Sequence, residues 1–390
     1  MASGQVLSYE AVLRTEAHQI QGSAPASREL SADTRLRLLV EGRAYALSLA
    51  YAPQFAVEDP PTTFRALHRG ALTASLTSAP RWRLDGVATG SYGTDNLLVP
   101  ALQLTPQQSY GPVQPVQPIP HSTVLPYVSG ALSVAYTRQL DEASVVGATI
   151  SGVIDGSPDS ASSAQYPMQR SASLDLRYGW TGAADVAATA LNGTFTRFGD
   201  DGTDLMATLL QDWRHLFTRH LTGWISAGPA LVWSRFAGNG LSLAPILAAG
   251  SPQAGTTSTW LTAAGELGVR DKNLQPGLEG SLAVHVAPSL DRLTGLVYDR
   301  ADLRSMLEWR SSPAWTWGAG LSYGVVLTGV QGGEQIATAE LRTTWAEGAT
   351  WEVVGGLRGL WQLQDPSSPQ GVRLWTTYLG VTGRDRDRLR

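Results

Sequence analysis

The sequence predicts an all-β fold, in which 390 residues form one domain and a single antiparallel sheet closes into a transmembrane barrel of 16–18 strands, with 18 preferred. Three observations lead to this prediction. Apolar residues alternate with polar or small ones, aromatic residues lie near the ends of the alternating segments, and short turns alternate with longer loops. A two-residue period belongs to strands, and short turns opposite long loops are typical of membrane barrels.

The composition excludes several other classes of protein. Acidic residues number 33 against 29 basic ones, which gives a net charge of −4, and this balance argues against a nucleic-acid partner. Charged residues make up 16% of the chain, fewer than the roughly 25% of an average soluble domain. No run of apolar residues exceeds four, whereas a membrane-spanning helix needs about 20. Because the chain has no cysteine, disulfide scaffolds and thiol chemistry are excluded.

The alternation is clearest in the last third of the chain. Every second residue from Trp315 to Leu327 is apolar, and the residues between them are small or polar as far as Gly324. In the preceding segment, 301–310, one face carries four charges and the other is apolar apart from Ser305. A strand with this many charges on one side needs water on that side.

Eighteen such segments can be counted, although 185–198 alternates poorly and a count of 16 is the alternative. An even count places both termini at the end with the short turns, among them Glu41-Gly42-Arg43 and Ser78-Ala79-Pro80-Arg81. The segments are 6–18, 33–41, 43–56, 64–77, 82–94, 124–138, 144–154, 168–180, 185–198, 203–215, 220–236, 257–270, 277–287, 301–310, 314–328, 335–345, 350–362 and 372–382.

The two faces of these strands distinguish a membrane barrel from a soluble β protein. A soluble sheet this large needs a second layer over its apolar face, and no helical period supplies one. In a membrane barrel the apolar face meets lipid, aromatic residues mark both interfaces, and the charged face lines an aqueous lumen. The aromatic pairs are Tyr45 and Tyr51, Tyr178 and Trp180, Trp224 and Trp233, Trp315 and Trp317, and Trp351 and Trp361.

These features resemble the bacterial outer-membrane β-barrels, including porins, over the whole chain. Of the 29 basic residues, 28 are arginine and one, Lys272, is lysine. In this composition, in its size and in its number of strands, the chain is similar to the 18-stranded barrels that serve polysaccharide secretion in myxobacteria. The resemblance implies a mature protein of the cell outer membrane with its signal peptide removed. It also implies contact with outer-membrane lipid and lipopolysaccharide, and with a periplasmic polysaccharide-export protein.

One feature of such barrels is missing, because they usually finish on an aromatic residue. This chain continues past Tyr378 and Val381 into a charged tail, residues 383–390. Either the tail is a solvated periplasmic extension, or the assembly signal is internal.

The charged face contains the candidate functional residues. Opposite charges on adjacent strands can pair and stiffen the wall, or the arginines can hold an anionic or hydroxyl-rich solute through their forked donors. The predicted pore-lining residues are Arg35, Arg37, Arg65, Arg69, Arg83, Asp85, Asp175, Arg177, Asp212, Arg214, Glu266, Arg270, Glu279, Asp302, Arg304, Glu308, Arg310, Glu340, Arg342, Glu352 and Arg358.

The longest connection, residues 95–123, is rich in proline and glutamine and reads as an extended, polyproline-like segment. It is either a solvated external loop or a segment that folds into the lumen and constricts it. The constriction would be formed by Pro106, Gln108, Tyr110, Pro112, Pro115 and Pro118.

No catalytic, metal or cofactor site is expected. Gly320-Leu321-Ser322-Tyr323-Gly324 matches a nucleophile elbow, but that motif needs a strand-to-helix turn and here lies within a strand. The six histidines show no metal-binding spacing. The sequence therefore predicts a pore, preferably a conduit for polysaccharide export. A small-solute diffusion porin and a non-conducting barrel that anchors a cell-surface complex are the alternatives.

Overall fold

The computed structural model describes residues 4–20, 27–59, 62–77, 81–96, 124–163, 166–199, 202–235, 257–290, 297–328, 335–348, 350–362 and 372–389. These residues form one sheet of 19 strand segments. The segments are β1 (Gly4–Ile20), β2 (Ser27–Glu41), β3 (Tyr45–Tyr51), β4 (Gln54–Asp59), β5 (Thr63–Thr77), β6 (Trp82–Asn96), β7 (Val124–Gln139), β8 (Ser144–Gly156), β9 (Gln169–Thr181), β10 (Asp185–Phe198), β11 (Gly202–Leu216), β12 (Leu221–Arg235), β13 (Thr257–Gln275), β14 (Leu278–Leu290), β15 (Val297–Arg310), β16 (Trp315–Val326), β17 (Gln335–Glu347), β18 (Trp351–Gln362) and β19 (Val372–Leu389).

The sheet closes on itself, because β1 pairs with both β2 and β19 and all pairings are antiparallel. Segments β3 and β4 are two parts of one strand. Their register against β2 is continuous, with Leu36 opposite Tyr51 and Asp33 opposite Gln54. Pro53 separates them because it has no N–H group to donate to the ladder. The predicted all-β, antiparallel barrel is thus confirmed with its preferred count of 18 strands, and each predicted segment overlaps a strand.

The two ends of the barrel differ in the length of their connections. At one end, the turn end, strands are joined by short turns such as residues 140–143 and 182–184. In the first of these, the backbone N–H groups of Ala143 and Ser144 donate to Asp141 at 2.8 and 2.7 Å and hold the pKa of its carboxyl below its usual range. The opposite end, the loop end, carries the longer connections, although 60–62 and 199–201 are short there as well. The first residues of β1 and the last residues of β19 lie at the turn end.

Successive residues point to opposite faces of the sheet. Large apolar side chains such as Leu261, Leu321 and Leu341 are 60–72% exposed on one face, which we call the outer face. The other, the interior face, is concave and carries the charged side chains. Bilayer lipid is the environment in which a continuous apolar outer face is favourable.

The charged C-terminal residues belong to the barrel, which differs from a solvated periplasmic extension. Residues 383–389 continue β19 and pair with β1 as far as Gln5 opposite Leu389. Arg384 lies 3.0 Å from Glu352 on β18 and 3.9 Å from Glu10 on β1. Its guanidinium therefore joins the last strand to both of its neighbours. The tail forms a strand because β1 supplies a partner for its backbone and Glu10 a counter-charge.

One short helix, α1 (Ser160–Ser163), lies in the connection between β8 and β9. Within the described ranges, no helix is long and apolar enough to cross a membrane.

Candidate functional site: the interior face of the barrel

The registers place every predicted pore-lining residue on the interior face. Cross-strand partners share a face, and the pairs His285–Asp302, Glu279–Glu308 and Glu340–Arg358 are all directly opposed. The same parity holds on the other strands, from Arg35 and Arg37 on β2 to Arg69 on β5 and Arg83 on β6. That these side chains line a conducting pore remains a prediction.

Many of these charges pair with one another, as the wall-stiffening interpretation expects. Arg83 lies 2.7 Å from Asp85, Arg177 lies 3.5 Å from Asp212 and Arg342 lies 3.7 Å from Glu308. Arg270 pairs with Glu279. The arginines of the first three of these pairs keep 37–60% of their side chains exposed. Exposed pairs of this kind contribute at most about 1 kcal/mol, so their donors remain available to another molecule.

The buried charged residues of the interior face lie near the loop end, and the exposed ones lie closer to the turn end. Eight charged residues of the interior face are less than 9% exposed, and all lie among the six residues of a strand nearest the loop end. The interior face of a barrel this wide would be wet if nothing covered it. The loop-end half is therefore covered, while long charged side chains of the turn-end half, such as Arg83 and Arg177, reach solvent. The buried residues are Glu29, Glu58, Arg65, Asp155, Asp204, Arg300, Asp302 and Arg358.

A polar cluster extends from the covered half towards the turn end across β12–β15. Arg300 donates through Nε to Asp302 at 2.8 Å, and the two residues are 7% and 4% exposed. Asp302 stands opposite His285, which in turn stands opposite Glu266, and Trp224 donates its indole N–H to Glu266 at 2.5 Å. Because each charge has a polar partner, the cluster avoids the large cost of an isolated buried charge.

A second cluster joins the first and last strands. The Tyr378 hydroxyl donates to Glu340 at 2.6 Å, and Arg358 lies 3.1 Å from the same carboxylate. The guanidinium carbon of Arg14 on β1 lies 4.8 Å from the centre of the Tyr378 ring and that of Arg358 lies 5.5 Å away. These contacts tie β17, β18, β19 and β1 together where the barrel closes.

A third cluster holds part of the β8–β9 connection against the wall. The Tyr166 and Tyr127 hydroxyls donate to the two carboxylate oxygens of Asp155 at 2.8 and 2.7 Å, and the two rings lie 6.1 Å apart. Tyr166 is 8% exposed. This connection therefore folds inward at the loop end.

Sequence analysis missed several of these residues. Tyr166 lies outside any alternating segment, and Asp155 and Arg300 lie just beyond the predicted strand limits. Trp224 and Tyr378 were read as interface or terminal aromatics, although both face inward. For the four residues that lie in strands, the alternation of faces along a strand of full length was the signal that could have identified them. No such signal exists for Tyr166, which lies between β8 and β9.

The remaining candidates give no second site. Ser322 of the Gly-x-Ser-x-Gly match lies within β16, and its hydroxyl is 2.5 Å from that of Thr338. The predicted constriction, Pro106 to Pro118 in the connection 95–123, lies outside the described residues. Its entry into the lumen stays a prediction.

The closed sheet, its apolar outer face and its charged interior face define a transmembrane β-barrel of the bacterial outer membrane. The chain belongs to the EpsX exopolysaccharide export family, whose family model matches residues 8–389. The resemblance to polysaccharide-secretion barrels is thereby confirmed. No curated protein matches the sequence significantly.

Solved structures support the fold alone, since their sequence identities are low. The FrpB iron transporter of Neisseria meningitidis superposes with a TM-score of 0.53 at 7% identity, over 92% of this chain and 63% of that one. OccAB4 of Acinetobacter baumannii gives 0.50 at 9% identity, over 98% of both chains. The copper transporter OprC gives 0.51 at 12% identity, over 94% of this chain and 65% of that one. The chain thus spans less than two thirds of the two metal transporters.

Proposed function

We propose that the exopolysaccharide passes through the lumen of this barrel, from the turn end to the loop end. The observation that carries the proposal is the set of exposed, charged side chains on the turn-end half of the interior face, such as Arg83, Arg177 and Arg342. A barrel of 18 strands encloses a water-filled interior. Membership of an exopolysaccharide export family supports the polymer as the solute.

The interior face suits a chain that must slide without stopping. Hydroxyl pairs such as Ser91 with Ser129 and Ser151 with Ser173, both 2.6 Å apart, add neutral donors and acceptors to the arginines and carboxylates. A polymer can exchange hydrogen bonds among them one sugar at a time. Conduction needs binding that is favourable but weak and spread over many sites, and a lining of this kind meets that need.

The covered loop-end half acts as the exit gate in this proposal. The β8–β9 connection, anchored by Tyr166 on Asp155, is one part of the cover. The polymer leaves when such segments move away from the wall.

The proposed partner is a periplasmic export protein that docks on the turn end. Turns such as residues 41–43 present Arg43, which is exposed, to the periplasm. We propose that the turn 78–81, which joins β5 to β6 at the same end, contributes as well, although residues 78–80 lie outside the described part of the chain.

A deletion strain, assayed for surface and secreted glycan, tests the proposal. We expect the polymer to be lost from the surface and restored by the wild-type barrel. A barrel with Arg83→Gln, Arg177→Gln and Arg342→Gln should restore export only partly, because the open half loses its charged donors. Arg138→Gln removes an exposed arginine from the outer face at the same end and serves as the matched control.

The alternatives give different results in this strain. Normal surface polymer with altered small-solute uptake would identify a diffusion porin. Full restoration by the triple variant would contradict the lining role. Loss of polymer together with an absence of conductance in planar bilayers, even after Tyr166 is released from Asp155, would favour a non-conducting barrel that anchors an export complex.

A further inference from the structure

Three arginines lie in one row across β9–β12, on the face opposite the proposed polymer path. Arg170 stands opposite Arg197, Arg197 opposite Thr203, and Thr203 opposite Arg235. All three arginines are exposed. Neighbouring strands lie about 4.8 Å apart, so Arg235 is about 10 Å from Arg197 along the row.

The row belongs to the outer face at the loop end. Arg197 alternates with Thr196 and Phe198, which are 2% and 5% exposed on the interior face. Arg170 is the second residue of β9, Arg197 the penultimate residue of β10 and Arg235 the last residue of β12, all at loop-end termini.

Aromatic residues set the depth of the row in the membrane. Phe195 and Trp233 lie two residues closer to the barrel middle, on the same face and strands as Arg197 and Arg235. Two residues of strand span about 6.6 Å. Aromatic girdles mark the membrane interface of such barrels, so the arginines lie just beyond it, among the headgroups of the external leaflet.

The row brings like charges together on the protein itself. Directly opposed like charges destabilise a pair of strands, yet Arg170 faces Arg197. Arg28, on the outer face at the same end, faces Asp59 instead. Arg170 and Arg235 make no hydrogen bond or ion pair with any residue that the structure describes. An anion from the surroundings would give Arg170 and Arg235 a partner of opposite charge.

We propose that Arg170, Arg197 and Arg235 bind the phosphates of lipid A, the phosphorylated glycolipid of the outer leaflet. Each guanidinium can hold a phosphate through two parallel hydrogen bonds. A headgroup with more than one phosphate suits a row that presents a close pair of arginines and a third one further along. The site would anchor the barrel among lipopolysaccharide at strands β9–β12 and does not depend on what passes through the lumen.

The test measures the binding of three lipids to the purified wild-type barrel in a zwitterionic detergent. The lipids are bisphosphorylated lipid A, dephosphorylated lipid A and phosphatidylglycerol. We expect bisphosphorylated lipid A to bind at least about tenfold more tightly than either of the others. The variant Arg170→Gln/Arg197→Gln/Arg235→Gln should lose this preference. The control variant Arg28→Gln/Arg373→Gln, which removes two other outer-face arginines at the loop end, should keep it.

Equal affinity of the wild type for lipid A with and without phosphates overturns the proposal, and so does equal affinity for phosphatidylglycerol. A triple variant that retains the preference also overturns it. If the triple variant does not fold, the comparison of the three lipids on the wild-type barrel and on the control variant still decides the outcome.

Discussion

At the scale of single residues, glycines on the interior face make room for buried ion pairs. A Cβ atom at Gly324 would overlap the guanidinium of Arg300 and lie 2.6 Å from the Asp302 carboxylate. At Gly320, on the same strand and face, the nearest heavy atom would be 4.0 Å away. A side chain at position 324 would therefore displace the Arg300–Asp302 pair, whereas position 320 has room for a Cβ atom. The Gly-x-Ser-x-Gly match is a packing feature of the wall.

We therefore expect Gly324→Ala to destabilise the barrel by about 1–3 kcal/mol, the usual cost of overpacking a filled site. The matched variant Gly320→Ala should change stability by less than about 0.5 kcal/mol. Denaturant unfolding of the two variants in lipid, followed by the difference in gel mobility between folded and unfolded protein, measures both effects. Equal stability of the two variants would mean that the Arg300–Asp302 pair is not held against Gly324.

At the scale of elements, contacts between separate segments of the chain close the barrel and hold part of the cover over the loop-end half of its interior. Strand β19 is 18 residues long because β1, with 17 residues, pairs along nearly all of it. The β8–β9 connection turns inward because Asp155 accepts hydrogen bonds from Tyr127 and Tyr166. Helix α1 is held there by the Asp159 side chain, which accepts from the backbone N–H of Ser162 at 2.8 Å.

Tyr166→Phe should release this connection from the wall, because it takes away a hydroxyl that donates to a buried carboxylate. The expected cost is about 1–3 kcal/mol of local stability. Hydrogen exchange of the amides at 157–163 should accelerate as a result. Tyr178→Phe is the control, since its hydroxyl lies on the outer face and its contact with Ser144 is a long one of 3.4 Å. Unchanged exchange in Tyr166→Phe, or equal acceleration in both variants, would contradict the anchoring role.

At the scale of the whole molecule, the interior is divided into an open half and a covered half. The absence of cysteine from the chain allows this division to be mapped with single cysteines. Small polar residues on the interior face provide a matched set. Thr73 and Thr137 are exposed in the turn-end half, whereas Ser31, Thr196 and Thr376 are at most 3% exposed in the loop-end half.

Cysteines at Thr73 and Thr137 should react quickly with a water-soluble thiol reagent, and cysteines at Ser31, Thr196 and Thr376 much more slowly. A cysteine at Leu321 should be protected by lipid, because that side chain is 62% exposed on the outer face. The measurement is the labelling rate of the barrel reconstituted in vesicles, with detergent-unfolded protein as the reference for full reactivity. Similar rates at all five interior positions would show that both halves are open.

The sequence by itself determined where the strands lie and which way their charged side chains point, and it favoured 18 strands over 16. This is so because the backbone of a strand sends successive side chains to opposite faces whatever its neighbours are. The alternation from Trp315 to Leu327 or from Asp302 to Arg310 therefore assigns faces without any knowledge of the partner strands. The tertiary structure decided which charges are exposed and which are covered. Arg177 and Arg300 follow the same parity rule, yet one is exposed and the other is 7% exposed. Their difference depends on what other parts of the chain cover the wall at each height. The tertiary structure also decided that residues 383–389 belong to a strand. A charged segment of this kind forms backbone hydrogen bonds as a strand only when a partner strand, here β1, lies beside it.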